Sequence, residues 1–233
     1  MTENQQQSTN NQQPKLKVCG LTQLDQIREL VALKIDFLGF IFYEKSPRYV
    51  LNHLSLDEIS EINHSGKVGV FVNENADKII QIAKKADLNF IQLHGDESDA
   101  FILELRAKLK AEIRIIKVIR IGNQESKART KIEKVFDFAQ TDNQQPATIN
   151  YLLFDTDSKA FGGTGKTFDW NILNEIKIPL PYFLSGGISL GNFHQLKTIN
   201  QQPFALDINS KFEIEPGIKD LEKIKEFLSL IKY

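Results

Sequence analysis

"KLKVCGLTQLDQIRELVALKIDFLGFIF", residues 15–42, holds a complete structural unit. A short β-rich run, KLKVCG (15–20), is followed by Leu24, Ile27, Leu30 and Val31 at helical spacing, and then by a second apolar run, FLGFIF (37–42). Strand, helix, strand in that order implies parallel pairing. An open dinucleotide-binding sheet would place G-x-G-x-x-G directly after the first strand, and "CGLTQLDQ" contains no such fingerprint.

The alternation continues to the end of the chain. Further strands are expected at KVGVFV (67–72), FIQLHG (90–95), RIIKVIRI (114–121), YLLFDT (151–156), PYFLSGG (181–187) and FALDIN (204–209). Helical spacing recurs at Phe101, Ile102, Leu105 and Leu109, and again at Leu221, Ile224, Phe227, Leu228 and Ile231; the sixth connection is the least clearly helical. Eight strand–helix units in a chain of 233 residues fit a closed (β/α)8 TIM barrel, an α/β fold forming one catalytic domain over residues 15–233. Residues 1–14, "MTENQQQSTNNQQP", carry too little apolar surface to offset the entropy of ordering and are expected to form a disordered polar tail.

Bulk composition narrows the function. Lys and Arg total 29 against 30 Asp and Glu, so no strong field of either sign draws nucleic acid or an anionic membrane, and any anion site is local. The single cysteine, Cys19, excludes an intrachain disulfide, and no Cys/His cluster has zinc-site spacing. With no apolar run of about 18 to 20 residues and no signal-peptide build at the N-terminus, a soluble cytoplasmic protein is expected.

Side chains on a strand alternate between two faces, so polar residues of one parity point to the barrel interior. Lys17 and Cys19 share a face in the first strand, Gln92 and His94 in the fourth, and Asp207 and Asn209 in the eighth, while Asp155 closes the sixth. Cys19, His94, Asp155 and Asp207 thus gather at the carboxyl ends of strands, where barrel active sites are built. Each has a plainer explanation: a lone cysteine is usually a small buried hydrophobe, a lone histidine a hydrogen-bonded structural residue, and a strand-end aspartate a cap for the next loop. Their coincidence at equivalent positions favours a site.

Anion-binding parts lie nearby. "LSGGI" (184–188) offers Gly186 and Gly187, whose backbone amides can approach an oxyanion; "DINSKFE" (207–213) offers Asn209, Ser210 and Lys211; and "GGTGK" (162–166) adds a third glycine-rich loop with Gly163 and Gly165. "GGTGK" is not a P-loop, since the earlier glycine of G-x-x-x-x-G-K-[ST] is missing, so a nucleoside triphosphate is not implied.

Taken together, "KVCGLT" (17–22), "GFIFYEKSPRYV" (39–50), "VGVFVN" (68–73), "IQLHGDE" (91–97), "FDTDSKAFGGTGKTFDW" (154–170), "LSGGI" and "LDINSKFEIEPGIKD" (206–220) resemble, in order and spacing, the motifs of the phosphoribosylanthranilate isomerases of tryptophan biosynthesis. The resemblance implies a barrel that converts N-(5-phosphoribosyl)anthranilate to its aminoketose by an Amadori rearrangement, with neither metal nor cofactor. It implies Cys19 as base, Asp155 as acid and Arg48 as holder of the anthranilate carboxylate. His94 and Asp207 are expected to contact the substrate, and Gly163, Gly165, Gly186, Gly187, Asn209 and Ser210 its phosphate. Residues 157–167 are expected to close over the site as a cover.

A free thiol titrates near 8.5, so Cys19 needs positive charge nearby, and Lys17 lies on its face about 6.5 to 7 Å away in a regular strand. Lys211 departs from the family, which usually has glycine there. The nearest rival enzyme, the histidine-pathway isomerase, works with paired aspartates and lacks the cysteine. A barrel that binds a phosphorylated ligand without catalysis stays open as the alternative, because the glycine loops alone would serve it. Oligomeric state, monomer or homodimer, is not fixed by these features.

Overall fold

The computed structural model describes residues 13–122, 130, 132–134, 148–156 and 167–231. Gly163, Gly165, almost all of the expected cover and residues 1–12 of the expected tail lie outside the described residues.

All eight expected strands form, and they close into one parallel barrel in sequence order: β1 (Lys15–Val18), β2 (Phe37–Ile41), β3 (Lys67–Phe71), β4 (Phe90–Leu93), β5 (Arg114–Ile121), β6 (Tyr151–Thr156), β7 (Tyr182–Leu184) and β8 (Ala205–Ile208). Closure comes from β1 lying parallel to β8, with Lys15 opposite Ala205 and Lys17 opposite Asp207. The expected strands ran one to three residues too far at several carboxyl ends. Those residues leave the ladder to build the site: Cys19, His94 and Ser185 each lie one residue past a strand while their N–H groups still bond to the neighbouring strand.

Helices α1 (Leu24–Ala32), α2 (Leu56–Ser60), α3 (Ala76–Lys85) and α4 (Asp99–Lys108), with a final helix over Leu221–Ile231, cover the outside. Their starts are set by local chemistry. Ser55 and Glu58 form a reciprocal capping box on α2, Asn75 accepts from the Asp77 and Lys78 amides, and Ser98 accepts from Phe101. Among the described residues, the sixth and seventh crossings hold short 3-10 turns, Trp170–Glu175 and Phe193–Thr198, and no α-helix. Pro179 and Pro181 follow the first of these closely, leaving little length for a longer helix before β7.

Strand parity divides the core as expected. Leu16, Val18, Leu38, Phe40 and Leu206 face the helices, whereas Phe37, Val68, Ile116, Val118, Leu153 and Phe183 fill the barrel. The barrel floor is aromatic: Phe37 meets Phe90 edge-on at 5.2 Å and Phe183 at 5.1 Å, and Tyr151 lies 5.0 Å from Phe204. With the bottom plugged, polar interior positions are left only toward the carboxyl ends of the strands.

Beyond β8, a 3-10 turn (Ser210–Phe212) leads into a hairpin of β9 (Glu213–Glu215) and β10 (Ile218–Lys219). Gly217 turns it with φ +90°, and a Cβ there would stand 2.8 Å from Thr22 Oγ1, which itself donates to the Gly217 carbonyl at 2.7 Å. The hairpin is thereby pinned to the loop after β1.

Candidate active site

The carboxyl ends of the strands surround a cleft of about 820 Å³, open mouth included, lined by Cys19, Arg48, Gln92, His94, Asp155, Gly186, Gly187, Asp207, Asn209 and Ser210, among others. Nine of the eleven expected site residues therefore meet in one place; Gly163 and Gly165 are the two outside the described residues. Tyr43 and Lys211 also face the cleft.

Cys19 is buried, 5% exposed, and its thiol is pushed up by that burial, against the pull of Lys17 and Lys219. The expected help from Lys17 is present but is outweighed by burial, to which the Asp207 charge adds. The Lys17 ammonium sits 2.9 Å from both oxygens of Asp207 inside the barrel. Burial alone would lower Lys17, but Asp207 and then Cys19 outweigh it and hold the lysine protonated. Asp207, expected as a substrate contact, has both oxygens taken up by this lysine.

Room for the thiol comes from Gly39. A Cβ on that β2 residue would lie 2.9 Å from both Cα and Sγ of Cys19. Gly39 sat inside a quoted motif, yet its task becomes visible only when β2 is placed beside β1.

Asp155 is half-buried; one oxygen accepts from the Thr156 amide at 2.8 Å and the other lies 3.3 Å from His94 Nε2. That second approach is close enough for an ion pair but off-line for a hydrogen bond, so His94 Nε2 has no hydrogen-bond partner among the described residues. Gln92 Nε2 is 3.0 Å from His94 Nδ1, an arrangement that leaves the imidazole proton on Nε2, toward Asp155. The buried Gln92 Oε1 also lacks a partner, which gives the cleft two polar atoms available to a ligand.

Arg48 is 8% exposed and gripped by Glu213: Nε is 2.9 Å from Oε1, and Nη2 is 2.6 Å from Oε2. Gly20, with φ +74°, lets the arginine pass, since a Cβ there would stand 2.7 Å from Arg48 Cδ and 2.9 Å from Asn209 Oδ1. Glu213 also receives Lys219 Nζ at 2.6 Å, and that same ammonium donates to Asn209 Oδ1 at 2.9 Å. The two cations outweigh burial and hold the Glu213 carboxyl below its ordinary value, while burial holds Lys219 below its own. Neither Glu213 nor Lys219 was singled out from sequence, although both sit in the quoted stretch 206–220.

Gly186 and Gly187 adopt φ +85° and +76°, and no described residue accepts a hydrogen bond from either N–H. Two adjacent amides freed in this way form a small anion cradle. Lys211, where glycine was expected from the resemblance, has no left-handed backbone and is exposed at the cleft edge, so its Cβ is accommodated without strain.

Fold and site define a (β/α)8 barrel with a thiol and a carboxyl lining one anion-receptive cleft. Among the described residues no helix is long and apolar enough to cross a membrane, and no group of three or more His, Cys, Asp or Glu is placed to hold a metal ion. The profile of the family described as "N-(5'phosphoribosyl)anthranilate (PRA) isomerase" matches residues 16–229, and the chain belongs to that family. It is 38% identical over 221 residues to an N-(5'-phosphoribosyl)anthranilate isomerase of Parabacteroides distasonis, covering 93% of this chain and 92% of the relative. It superposes on the phosphoribosyl anthranilate isomerase of Thermotoga maritima with a TM-score of 0.72 at 31% identity, over 94% of this chain and 98% of the other. A further isomerase, solved in complex with reduced 1-(o-carboxyphenylamino)-1-deoxyribulose 5-phosphate, aligns with a TM-score of 0.69 at 29% identity, over 94% and 98% of the two chains.

Proposed function

We propose that this protein isomerises N-(5-phosphoribosyl)anthranilate to 1-(2-carboxyphenylamino)-1-deoxyribulose 5-phosphate, the Amadori step of tryptophan biosynthesis, in the cytoplasm and without cofactor. The observation that carries this reading is that Cys19 and Asp155 line one cleft whose remaining walls offer an arginine and a pair of glycine amides that make no hydrogen bond with a described residue.

Asp155 protonates the furanose ring oxygen, the C1–O bond breaks, and the aryl nitrogen's lone pair gives an iminium ion. That cation acidifies the C2 proton, which the Cys19 thiolate removes. The resulting enolamine tautomerises to the ketone. Asp155 has then lost one proton and Cys19 gained one, so the thiol's proton must return to the carboxylate before the next turnover. Lys17 is the nearest fixed cation for the thiolate, and Asp207 holds it there. The Thr156 amide holds one oxygen of Asp155, and His94 lines the cleft 3.3 Å from the other.

Arg48 receives the aryl carboxylate through Nη1, which makes no hydrogen bond with a described residue. Gly186 and Gly187, with Asn209 and Ser210, receive the phosphate; Gly163 and Gly165, expected in the same set, lie outside the described residues.

Rescue of a host lacking this isomerase, with tryptophan-free growth as the readout, tests the assignment. Growth with the unmodified chain and none with Asp155→Asn is expected. Failure of the unmodified chain to rescue, despite soluble expression, would leave the non-catalytic phosphate-ligand barrel as the better reading.

A further inference from the structure

Around Arg48 the buried charges do not balance. Two cations, Arg48 and Lys219, are 8% and 1% exposed, and they share a single carboxylate, Glu213, whose side chain is 3% exposed. The other polar contact of Lys219 Nζ is the neutral Asn209 amide oxygen, and the neighbouring Lys17 and Asp207 cancel each other. With Lys219 protonated and the neighbouring Cys19 thiol kept neutral by burial, the cluster carries one surplus positive charge among the described residues. A buried charge without a counter-charge is costly, so such a cluster is relieved by an incoming anion.

Only one of the two cations lines the cleft. Arg48 faces it; Lys219 stands behind Glu213, held by Gln26, whose side chain bonds the Lys219 backbone N–H at 2.8 Å and its carbonyl at 2.7 Å. Because Lys219 draws on Glu213 Oε1, that carboxylate cannot devote its full charge to Arg48.

We infer that Lys219 is a positioning residue that sets specificity for the substrate's aryl carboxylate: by sharing Glu213 it leaves Arg48 lacking one negative charge, which the ligand then supplies. This rests on the reading of the cleft given under Proposed function. Lys219 never touches the ligand in this scheme and acts only through Glu213 and Arg48.

The test compares two ligands on the full chain by calorimetry: the reduced aminoketose phosphate carrying the carboxylate, and its counterpart made from aniline, which lacks it. The ratio of their affinities isolates the carboxylate, because any effect on the phosphate through Asn209 cancels. In Lys219→Met the ratio should fall about ten-fold, the scale of one charge removed at a few ångströms' distance in a partly buried setting. In the double variant Lys219→Met/Glu213→Gln, Arg48 regains an unshared positive charge, and more than half of the lost factor should return. A merely structural defect would instead deepen in the double variant.

An unchanged ratio in Lys219→Met, or no recovery in the double variant, overturns the inference. Should Lys219→Met not fold, Lys219→Gln, which can still donate to Asn209, carries the same expectation. Unmodified protein that binds neither ligand overturns the reading of the cleft itself; unmodified protein that discriminates, with variants that do so equally, overturns only the role of Lys219.

Discussion

Lys17 and Asp207, 190 positions apart in the chain, form a two-point ion pair inside the barrel with Nζ 2.9 Å from each carboxylate oxygen. The pair places a fixed cation beneath Cys19 at the point where β1 meets β8.

Replacing Lys17 by Met should push the Cys19 thiol higher still, because burial already raises it and Lys17 is the chief opposing influence. Thiolate appears as pH rises, so the alkaline-going limb of kcat/KM, and of the iodoacetamide alkylation rate, should move to higher pH in the variant. The unpaired Asp207 would cost about 3 to 5 kcal/mol of stability, seen as a lower Tm. An unmoved alkylation profile would remove Lys17 from the chemistry.

Cys19→Ser and Asp155→Asn should each lower kcat on the order of 10²- to 10⁴-fold, the usual contribution of a positioned acid or base. Far-UV circular dichroism and affinity for inorganic phosphate should stay as in the unmodified protein. Equal loss of phosphate affinity would point to disturbed architecture in place of lost proton transfer.

Gly39→Ala places a methyl 2.9 Å from Cys19 Sγ and equally close to its Cα, with backbone as one of the obstacles. Overpacking of this kind costs about 1 to 3 kcal/mol. Turnover should fall through displacement of the thiol by more than the loss of stability accounts for; chemical denaturation and steady-state kinetics read the two effects.

Glu213 predicts an acid sensitivity. Its carboxyl is held below the ordinary value, so the stability it contributes is fully present above the unfolded-state value near 4.5 and is lost as pH falls through the depressed folded one. Glu213→Gln should flatten the fall in Tm with pH below about 4.5. A slope identical to that of the unmodified protein would assign the acid lability to other carboxylates.

Much of this architecture was legible in the chain because both of its periods are local: two-residue alternation announced the strands, and apolar spacing announced the longer helices. The 3-10 crossings after β6 and β7 were less so, since six residues are too few to show a period. Cys19, Asp155 and Arg48 stood out as reactive or charged groups at strand ends or in a matched motif. Glu213 and Lys219 did not, because their meaning depends on a hairpin folding back onto an arginine 165 positions earlier, a relation no local pattern carries. That burial of the thiol outweighs Lys17 was hidden as well, since spacing reports distance but not how much water is excluded.

Closure of the barrel between its first and last strands has a temporal consequence. On a ribosome, Lys17 is made 190 positions before the carboxylate that anchors it, and the strand carbonyl that binds the Cys19 amide at 2.9 Å comes from that same later strand. Competence therefore awaits the docking of β8 against β1, and a nick that frees β8 should lower turnover.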